Sequence, residues 1–363
     1  MRVALVGHSY PPYLGGLSHV LYNLSVELKR LGHEVLVVTL RVHPGLPAEE
    51  VVDGVKVVRV PGVAPSNAYY APSPQIVKAV RAARPDVVHV HNVGALTVPV
   101  VVLTHRLVGL GGRLVITPHH HEGGSTAHTR AAWAIYKPIA AEALRAADVV
   151  HSVSPFEAKL VERDFGVRPV VIPNGVKEDV LRFAWSPPEE PVVTYAGRVE
   201  GYKRVHTLAR AVGVVRESLG VNVALRVVGS GPYLPRVVRV CRELGVPLEH
   251  YPFLPRTHYL RALATSTVFA NISMYEAFSI VAAEALAIGV PAVLSKPWGY
   301  TFLGYGARVV DGGRVVDVAE ALAEAIEYRD VSIRGRRRGV RMLTWGEVAS
   351  RVEKMLYLGV AGA

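Results

Sequence analysis

Short runs of valine and leucine recur along this chain at residues 3–6, 35–40, 55–60, 87–90, 114–117 and 149–153. Apart from Thr39, Lys56, Arg59, His89, Thr117, His151 and Ser152 they are apolar, without a regular alternation of apolar and polar positions. A strand with two apolar faces is buried on both, as happens where helices cover a parallel sheet. Between the first two runs, Val20, Leu21, Leu24 and Leu28 form one helical stripe within residues 18–30, and Gly32 follows as a stop. The alternation predicts repeated βα units and a doubly wound α/β fold. At residues 186–191 the sequence Ser-Pro-Pro-Glu-Glu-Pro turns to proline and charge, which predicts a linker. Beyond it the alternation restarts at 192–196, 223–228, 268–272 and 292–294. The expected organisation is a first Rossmann-like domain over 1–186, a second over 187–344, and a closing amphipathic helix within 345–363, preceded by the basic stretch at 334–338. Two such sheets in tandem imply a cleft between them, with ligands beyond the carboxyl ends of the strands.

One segment breaks the plain apolar pattern. Seven residues separate Glu276 from Glu284, and almost all of them are apolar. The spacing predicts a buried helix start with Ser279 as its N-cap and with Gly289 and Pro291 ending it. A helix start gathers free N–H groups and partial positive charge, so it suits an anion. One carboxylate before such a start and another inside it fit a phosphorylated sugar, whose hydroxyls need acceptors beside the anion.

Charge and composition narrow the partners. The 363 residues fit two domains, and half are hydrophobic, enough for a core in each. Lys and Arg number 41 against 30 acidic residues, a net charge of +11 that favours an anionic partner. Cys241 is the only cysteine, so no intrachain disulfide forms, consistent with a reducing cytoplasm. The apolar start of the chain is short for a signal peptide, and no run of about 18 uncharged apolar residues predicts a membrane span. Gln75 is the only glutamine, and the scarcity of Gln, Cys and Met resembles a thermophile's composition.

Three loops carry further candidate chemistry. The first strand runs into Gly7-His-Ser-Tyr-Pro-Pro-Tyr-Leu-Gly15-Gly16, where glycines let backbone approach a ligand at a helix start. The second half opens with Tyr195-Ala-Gly197-Arg198-Val-Glu-Gly201-Tyr-Lys203-Arg204. There Arg198 can grip phosphate with two parallel bonds, and Lys203 adds a compact charge. Gly229-Ser-Gly231-Pro232-Tyr-Leu234 is half a dinucleotide fingerprint, but Leu234 replaces the third glycine and Pro232 removes a donor, so it reads as a tight strand-to-helix turn. His119, His120 and His121 follow a strand; successive residues on extended chain point apart, which weighs against one shared metal ion. His89 and His91, two apart, share a strand face.

In this order the pieces resemble the retaining nucleotide-sugar glycosyltransferases of family 4, with the GT-B fold. The resemblance rests on P-P-Y-L-G-G, R-L-G-H-E-V-L-V-V-T, P-D-V-V-H-V-H, I-T-P-H-H, A-A-D-V-V-H-S-V-S, V-I-P-N-G-V, A-G-R-V-E-G-Y-K, V-V-G-S-G-P and the Glu276–Glu284 element with A-I-G-V-P. It implies that Arg198 and Lys203 grip the donor diphosphate, with the backbone at Gly15 and Gly16 approaching it. By the same resemblance Glu284 bonds the nucleotide ribose, Glu276 lies by the donor sugar, and Gly197, Gly229, Phe278, Ser279 and Ile280 complete the donor-binding set. His119 matches the family's histidine by the sugar, while His120 and His121 stand where the family has small or acidic residues. Lys296-Pro-Trp298-Gly299-Tyr300 replaces the usual paired glycines. The resemblance implies a hexosyltransferase acting on a hydroxyl acceptor, a sugar or a lipid-linked one, with no metal and no other cofactor.

The rivals are a sugar-nucleotide-binding scaffold that has lost activity and a nicotinamide-dependent oxidoreductase, which the broken glycine pattern weighs against. No nucleic-acid reader motif accompanies the basic charge. Tyr69, Tyr70, Lys78, Arg81 and Arg84 suggest peripheral docking of the first domain on the anionic inner face of a membrane.

Overall fold

In a computed structural model of the chain, residues 1–13, 15–41, 43–63, 71–121, 127–327 and 339–360 are described. The chain forms two compact units, one of residues 1–175 with 343–363 and one of 176–342.

In the first unit, strand β1 (Arg2–Val6) leads into helix α1 (Gly16–Arg30) and strand β2 (Glu34–Leu40). The apolar stripe of α1 is buried at Val20, Leu21, Leu24 and Leu28. Strands β3 (Glu49–Val52) and β4 (Val55–Val60) form a hairpin, and β5 (Gly62–Val63) pairs with β6 (Ala71–Pro72). Helix α2 (Gln75–Ala82), strand β7 (Val87–His91), α3 (Thr97–Val108), β8 (Arg113–Thr117), α4 (Ala127–Arg145), β9 (Val149–Ser152), α5 (Pro155–Phe165) and β10 (Val170–Val171) follow. The sheet order is β10-β9-β8-β7-β1-β2-β4-β3, parallel except for β3. The strand order reverses at β1, which lies between β2 and β7. Hydrophobic side chains of the central strands are wholly buried, as their uninterrupted apolar runs require.

The second unit repeats the plan. Strand β11 (Val192–Ala196), α6 (Val205–Leu219), β12 (Ala224–Val228), α7 (Leu234–Glu243), β13 (Leu248–Tyr251), α8 (Arg256–Ala264), β14 (Val268–Asn271), α9 (Ile280–Ile288), β15 (Ala292–Ser295), β16 (Arg308–Val310) and α10 (Val315–Glu327) build it. All six strands are parallel, in the order β13-β12-β11-β14-β15-β16. Here the order reverses at β11, between β12 and β14. Helix α9 begins and ends where the sequence predicts. The Ser279 hydroxyl accepts from the Ala282 N–H at 3.3 Å, and Gly289 closes the helix at φ 99°.

The division of the chain differs from the expected boundary at 186/187. It falls at Gly175/Val176, because residues 185 and 186 are tied into the second unit. The Trp185 backbone N–H donates to Ile288 O at 3.1 Å and its indole N–H to Ser266 O at 2.7 Å, while Ser186 N–H donates to Ala264 O. The proline-rich stretch is therefore anchored rather than free-standing. The chain rejoins the first unit at Leu343, not at 345. There α11 (Trp345–Arg351) packs on α1, opened by a capping box in which Thr344 and Glu347 bond each other's backbone N–H. A π-helical turn at Val352–Tyr357 follows instead of a continued α-helix. Gly175 has to be small: a β-carbon there would lie 2.7 Å from the backbone at Thr344 and Trp345. The basic stretch at 334–338 lies outside the described residues.

Candidate functional site

Loops from the two strands that meet at the second unit's reversal point carry the charged residues singled out in the sequence. After β11, residues 197–203 end in a 3-10 turn at Gly201–Lys203. After β14, residues 272–279 lead to the capped start of α9. Lys203 Nζ donates to Glu276 Oε1 at 2.6 Å, with both side chains largely buried at 13% and 16% exposure. Asn271 Nδ2 donates to the same carboxylate oxygen at 3.1 Å and to Ser279 Oγ at 3.2 Å. One asparagine thus links the glutamate and the helix cap, and shares the Glu276 Oε1 acceptor with Lys203. Burial works against the charge of Lys203, but Glu276 and Tyr202 outweigh it and raise the ammonium's pKa. Arg198 stands at the rim, 52% exposed, where it donates to Glu200 Oε1 at 2.6 Å and to the Tyr202 hydroxyl at 2.9 Å. Lys203 is thus tied, through Glu276 and Asn271, to the capped start of α9, the setting in which an anion is favoured.

Glu284 belongs to a second network. It sits in the second turn of α9, 2% exposed. Arg256 Nη1 donates to its Oε1 at 2.6 Å and the Tyr259 hydroxyl to its Oε2 at 2.5 Å. Arg256 is held in turn by Asp179, through Nε at 3.0 Å and Nη2 at 2.8 Å. The Arg256 bond comes first among the causes that lower the Asp179 carboxyl. Burial, and then Glu284, push the Tyr259 phenol well above its usual range, so it remains a donor.

The turn at Gly229 packs directly on the 197–203 loop. Gly197 N–H donates to Val228 O, Val199 N–H to Ser230 O and Tyr233 N–H to Val199 O. Gly229 has φ 130°, and a β-carbon there would lie 2.1 Å from the Gly197 carbonyl oxygen. Its glycines support the cationic loop rather than a dinucleotide. Glu249, on the neighbouring strand β13, pairs with Arg226 at 2.7 Å. Phe278 packs on Phe302 at 5.1 Å between ring centres, and Ile280 opens α9. In the replaced glycine loop, Trp298 is buried and donates to Ser273 O at 2.8 Å, whereas Tyr300 is exposed.

In the first unit, Gly15 is the N-cap of α1 and Gly16 its first residue, with no side-chain cap over the free N–H groups. The three successive histidines part company, as alternation demands. His119, at φ 48°, reaches His91, Nε2 to Nδ1 at 3.1 Å. His120 is buried between Trp133 and Phe165 and bonds Asp164 at 2.8 Å. His121 is exposed. Helix α5 fixes this loop, since Glu157 Oε1 accepts the His120 N–H at 2.6 Å and Oε2 accepts the Val153 N–H at 2.7 Å.

Behind His119 runs a buried chain that the sequence did not announce beyond the shared face of His89 and His91. His91 stacks on His89 at 4.2 Å. His89 Nε2 lies 2.7 Å from Thr117 Oγ1, which lies 2.8 Å from His151 Nδ1. His151 Nε2 donates to Ile172 O at 2.9 Å, and the Tyr357 hydroxyl of the returning segment meets His89 Nδ1 at 2.9 Å. Burial pushes His119 down to about 3 and His151 to about 4, and holds His89 and His91 well below the usual range. His8, after β1, is also pushed to about 4 by burial. Asn271, Tyr202, Arg256 and Tyr259 were missed as well. Only the Arg-x-x-Tyr spacing at the start of a helix, which puts both side chains on one face, could have signalled the last two.

Two family models match this chain: Glycosyltransferase Family 4 over residues 14–180 and Glycosyl transferases group 1 over residues 177–329. A GDP-mannose-dependent alpha-(1-6)-phosphatidylinositol monomannoside mannosyltransferase of Mycolicibacterium smegmatis is 30% identical over 280 residues, 67% of this chain and 70% of that protein. A GDP-mannose-dependent alpha-mannosyltransferase of the same organism is 29% identical over 382 residues, covering 97% of this chain and 96% of its own. Among solved structures, sucrose-phosphate synthase from Thermosynechococcus elongatus superposes with a TM-score of 0.79 at 20% identity, over 100% of both chains. Anabaena HepE, in complex with UDP and glucose, superposes with a TM-score of 0.71 at 17% identity, over 98% of this chain and 95% of its own.

Proposed function

This chain belongs to the family 4 glycosyltransferases of GT-B fold and uses a nucleotide-sugar donor, and we propose that it transfers a hexose with retention of configuration and without a divalent metal. The observation that carries this reading is the Lys203–Glu276 pair beside the start of α9, with Arg198 at its rim. Breaking the bond between the sugar C1 and the diphosphate oxygen builds negative charge on the leaving group. Fixed donors aimed at that charge stabilise the transition state. Lys203, Arg198 and the α9 N–H groups can supply them in place of a metal. The acceptor oxygen bonds C1 on the face the diphosphate leaves, and its proton passes to a leaving phosphate oxygen. Neither glutamate forms a covalent bond in this scheme. Glu276 orients Lys203 and lies by the sugar, and Glu284 accepts from the ribose hydroxyls. By the family resemblance His119 and the backbone of Gly15 and Gly16 are assigned to donor binding. His119, held neutral by burial, serves as a hydrogen-bonding group rather than a cation.

The mannosyltransferase relatives make GDP-mannose the first donor to test, and the relatives named for phosphatidylinositol mannosides make a lipid-linked hydroxyl the first acceptor class. No helix among the described residues is long and apolar enough to cross a membrane. Peripheral docking is proposed through α2, whose Lys78 and Arg81 are exposed together with the following Arg84; Tyr69 and Tyr70 lie outside the described residues. The deciding assay follows nucleotide release from GDP-, UDP- and ADP-hexoses with lipid and sugar acceptors, and reads the anomer of the product by NMR. Binding of a donor with no release under any acceptor would instead describe a scaffold. An inverted product would overturn the front-face scheme.

A further inference from the structure

We propose that Arg256 and Tyr259 are positioning residues that hold the Glu284 carboxylate for the donor's ribose, and so set a preference for ribonucleotides over 2′-deoxyribonucleotides. The inference rests on the ribose role given to Glu284 above. Arg256 is the first and Tyr259 the fourth residue of α8, so both project from one face of that helix. Each reaches a different oxygen of Glu284, Arg256 Nη1 at 2.6 Å and the Tyr259 hydroxyl at 2.5 Å. A carboxylate offers about four lone-pair positions. One bond per oxygen therefore leaves a free position on each, the arrangement that two neighbouring hydroxyls need in order to donate together.

The hold on Glu284 is rigid because its holder is itself held. Asp179, from the 3-10 turn at Glu178–Arg182, takes the Nε and Nη2 edge of the same guanidinium in two parallel bonds. Arg256 also lies over the Tyr259 ring, 5.5 Å from its centre. Arg256 and Asp179 are partly exposed, at 31% and 35%, while the Glu284 side chain is exposed to only 3%. A carboxylate at that depth that loses its partner turns away, since an uncompensated buried charge is costly. It then stops presenting two acceptors in a set direction. A clamp that merely braced α8 against α9 would cost stability when broken but would not alter which sugar the nucleotide carries.

That difference gives the test. Dissociation constants of GDP and 2′-deoxy-GDP, with the ADP and UDP pairs in parallel, are measured by calorimetry for the wild type, Glu284→Gln, Arg256→Gln, Arg256→Lys and Tyr259→Phe. The wild type is expected to prefer the ribonucleotide on the order of 10-fold, as for a hydrogen bond to a charged group. Arg256→Gln and Tyr259→Phe should bring the ratio close to one while binding the deoxy form nearly as well as the wild type. Arg256→Lys should fall between, because a lysine cannot keep the two-pronged tie to Asp179. Tyr259→Phe removes one hydroxyl only, so it keeps the test decisive if Arg256→Gln fails to fold. A wild-type ratio retained in the folded Tyr259→Phe and Arg256 variants, but lost in Glu284→Gln, overturns the positioning role and leaves the ribose role standing. No preference in the wild type for any base, or one that survives Glu284→Gln, overturns the ribose role and the proposal with it.

Discussion

Lowering the pH from 7 to 5 should loosen the first unit before the second, and the buried histidine chain sets the size of the effect. The His151 Nε2–H donates to the Ile172 carbonyl, so its Nδ1 accepts from the Thr117 hydroxyl. Thr117 then accepts from His89 Nε2, which leaves His89 Nδ1 to accept from the Tyr357 hydroxyl. Every link is satisfied with both rings neutral, and an added proton breaks the sequence. These histidines titrate near 6.5 in an unfolded chain, whereas His8 and His151 are pushed to about 4 and His119 to about 3 by burial. A base whose folded pKa is depressed adds no instability above its unfolded value. Below about 6.5 the unfolded state binds the extra proton, and stability falls as pH falls towards the folded pKa. From pH 7 to pH 5 each such histidine costs roughly 2 kcal/mol, or about 6 for the three. His89 and His91 push the same way. Glu157 opposes them. Burial raises its carboxyl to about 8, so the folded state holds a proton that the unfolded state lacks, and acidification over the same interval recovers about 3 kcal/mol. The net loss of about 3 kcal/mol or more is a large share of a domain's stability. Hydrogen exchange, corrected for intrinsic rates, measures this on peptides of β1, β7 and β8 against those of β11, β12 and β14. Protection in the first unit that holds steady or rises between pH 7 and 5 would refute the reasoning.

Lys203→Ala should lower turnover at saturating donor by on the order of 10²–10³, and an unchanged rate would remove the lysine from the proposed chemistry. Arg198→Lys should also slow transfer, because the two-pronged grip on phosphate is lost; wild-type activity would mark Arg198 as an exposed rim charge. Activity should survive EDTA, and loss that Mg²⁺ or Mn²⁺ restores would replace the cationic scheme. Gly229→Ala should destabilise the second unit by about 3 kcal/mol or more, read as a lower unfolding midpoint, since its β-carbon meets the Gly197 carbonyl at positive φ. Lys78, Arg81 and Arg84 should draw the protein to anionic vesicles at low salt and release it at high salt; no co-sedimentation at low salt would dismiss docking through α2.

Much of the architecture was legible in the sequence because it follows from local pattern. Valine-rich runs without regular alternation read as strands covered on both faces, and the central strands β7, β11 and β14 are buried at every position. The limits of α9 were legible for the same reason, since a serine cap and a left-handed glycine act within one turn. Strands that pattern hides are those at or near a sheet's edge. Glu49–Val52, Leu248–Tyr251 and Arg308–Val310 are short and partly polar, and only their neighbours make them strands.

Within the candidate site, residue types could be chosen from the chain, but their partners could not. Arg198, Lys203, Glu276 and Glu284 stand out by spacing and family resemblance. That Lys203 pairs with Glu276, while Glu284 pairs with Arg256 and Tyr259, depends on strand order. Placing β14 beside β11 brings together two loops 73 positions apart. The same holds for the histidine chain, in which Tyr357 meets His89 across 268 positions. Nor could the linker be placed from its prolines, because Trp185 and Ser186 find their bonds on α8, α9 and the turn after α8. Helix and strand character is written in neighbouring residues, which the chain lists in order. A charge's partner and a histidine's pKa are set by what folding brings within a few ångströms, and only the tertiary structure decides that.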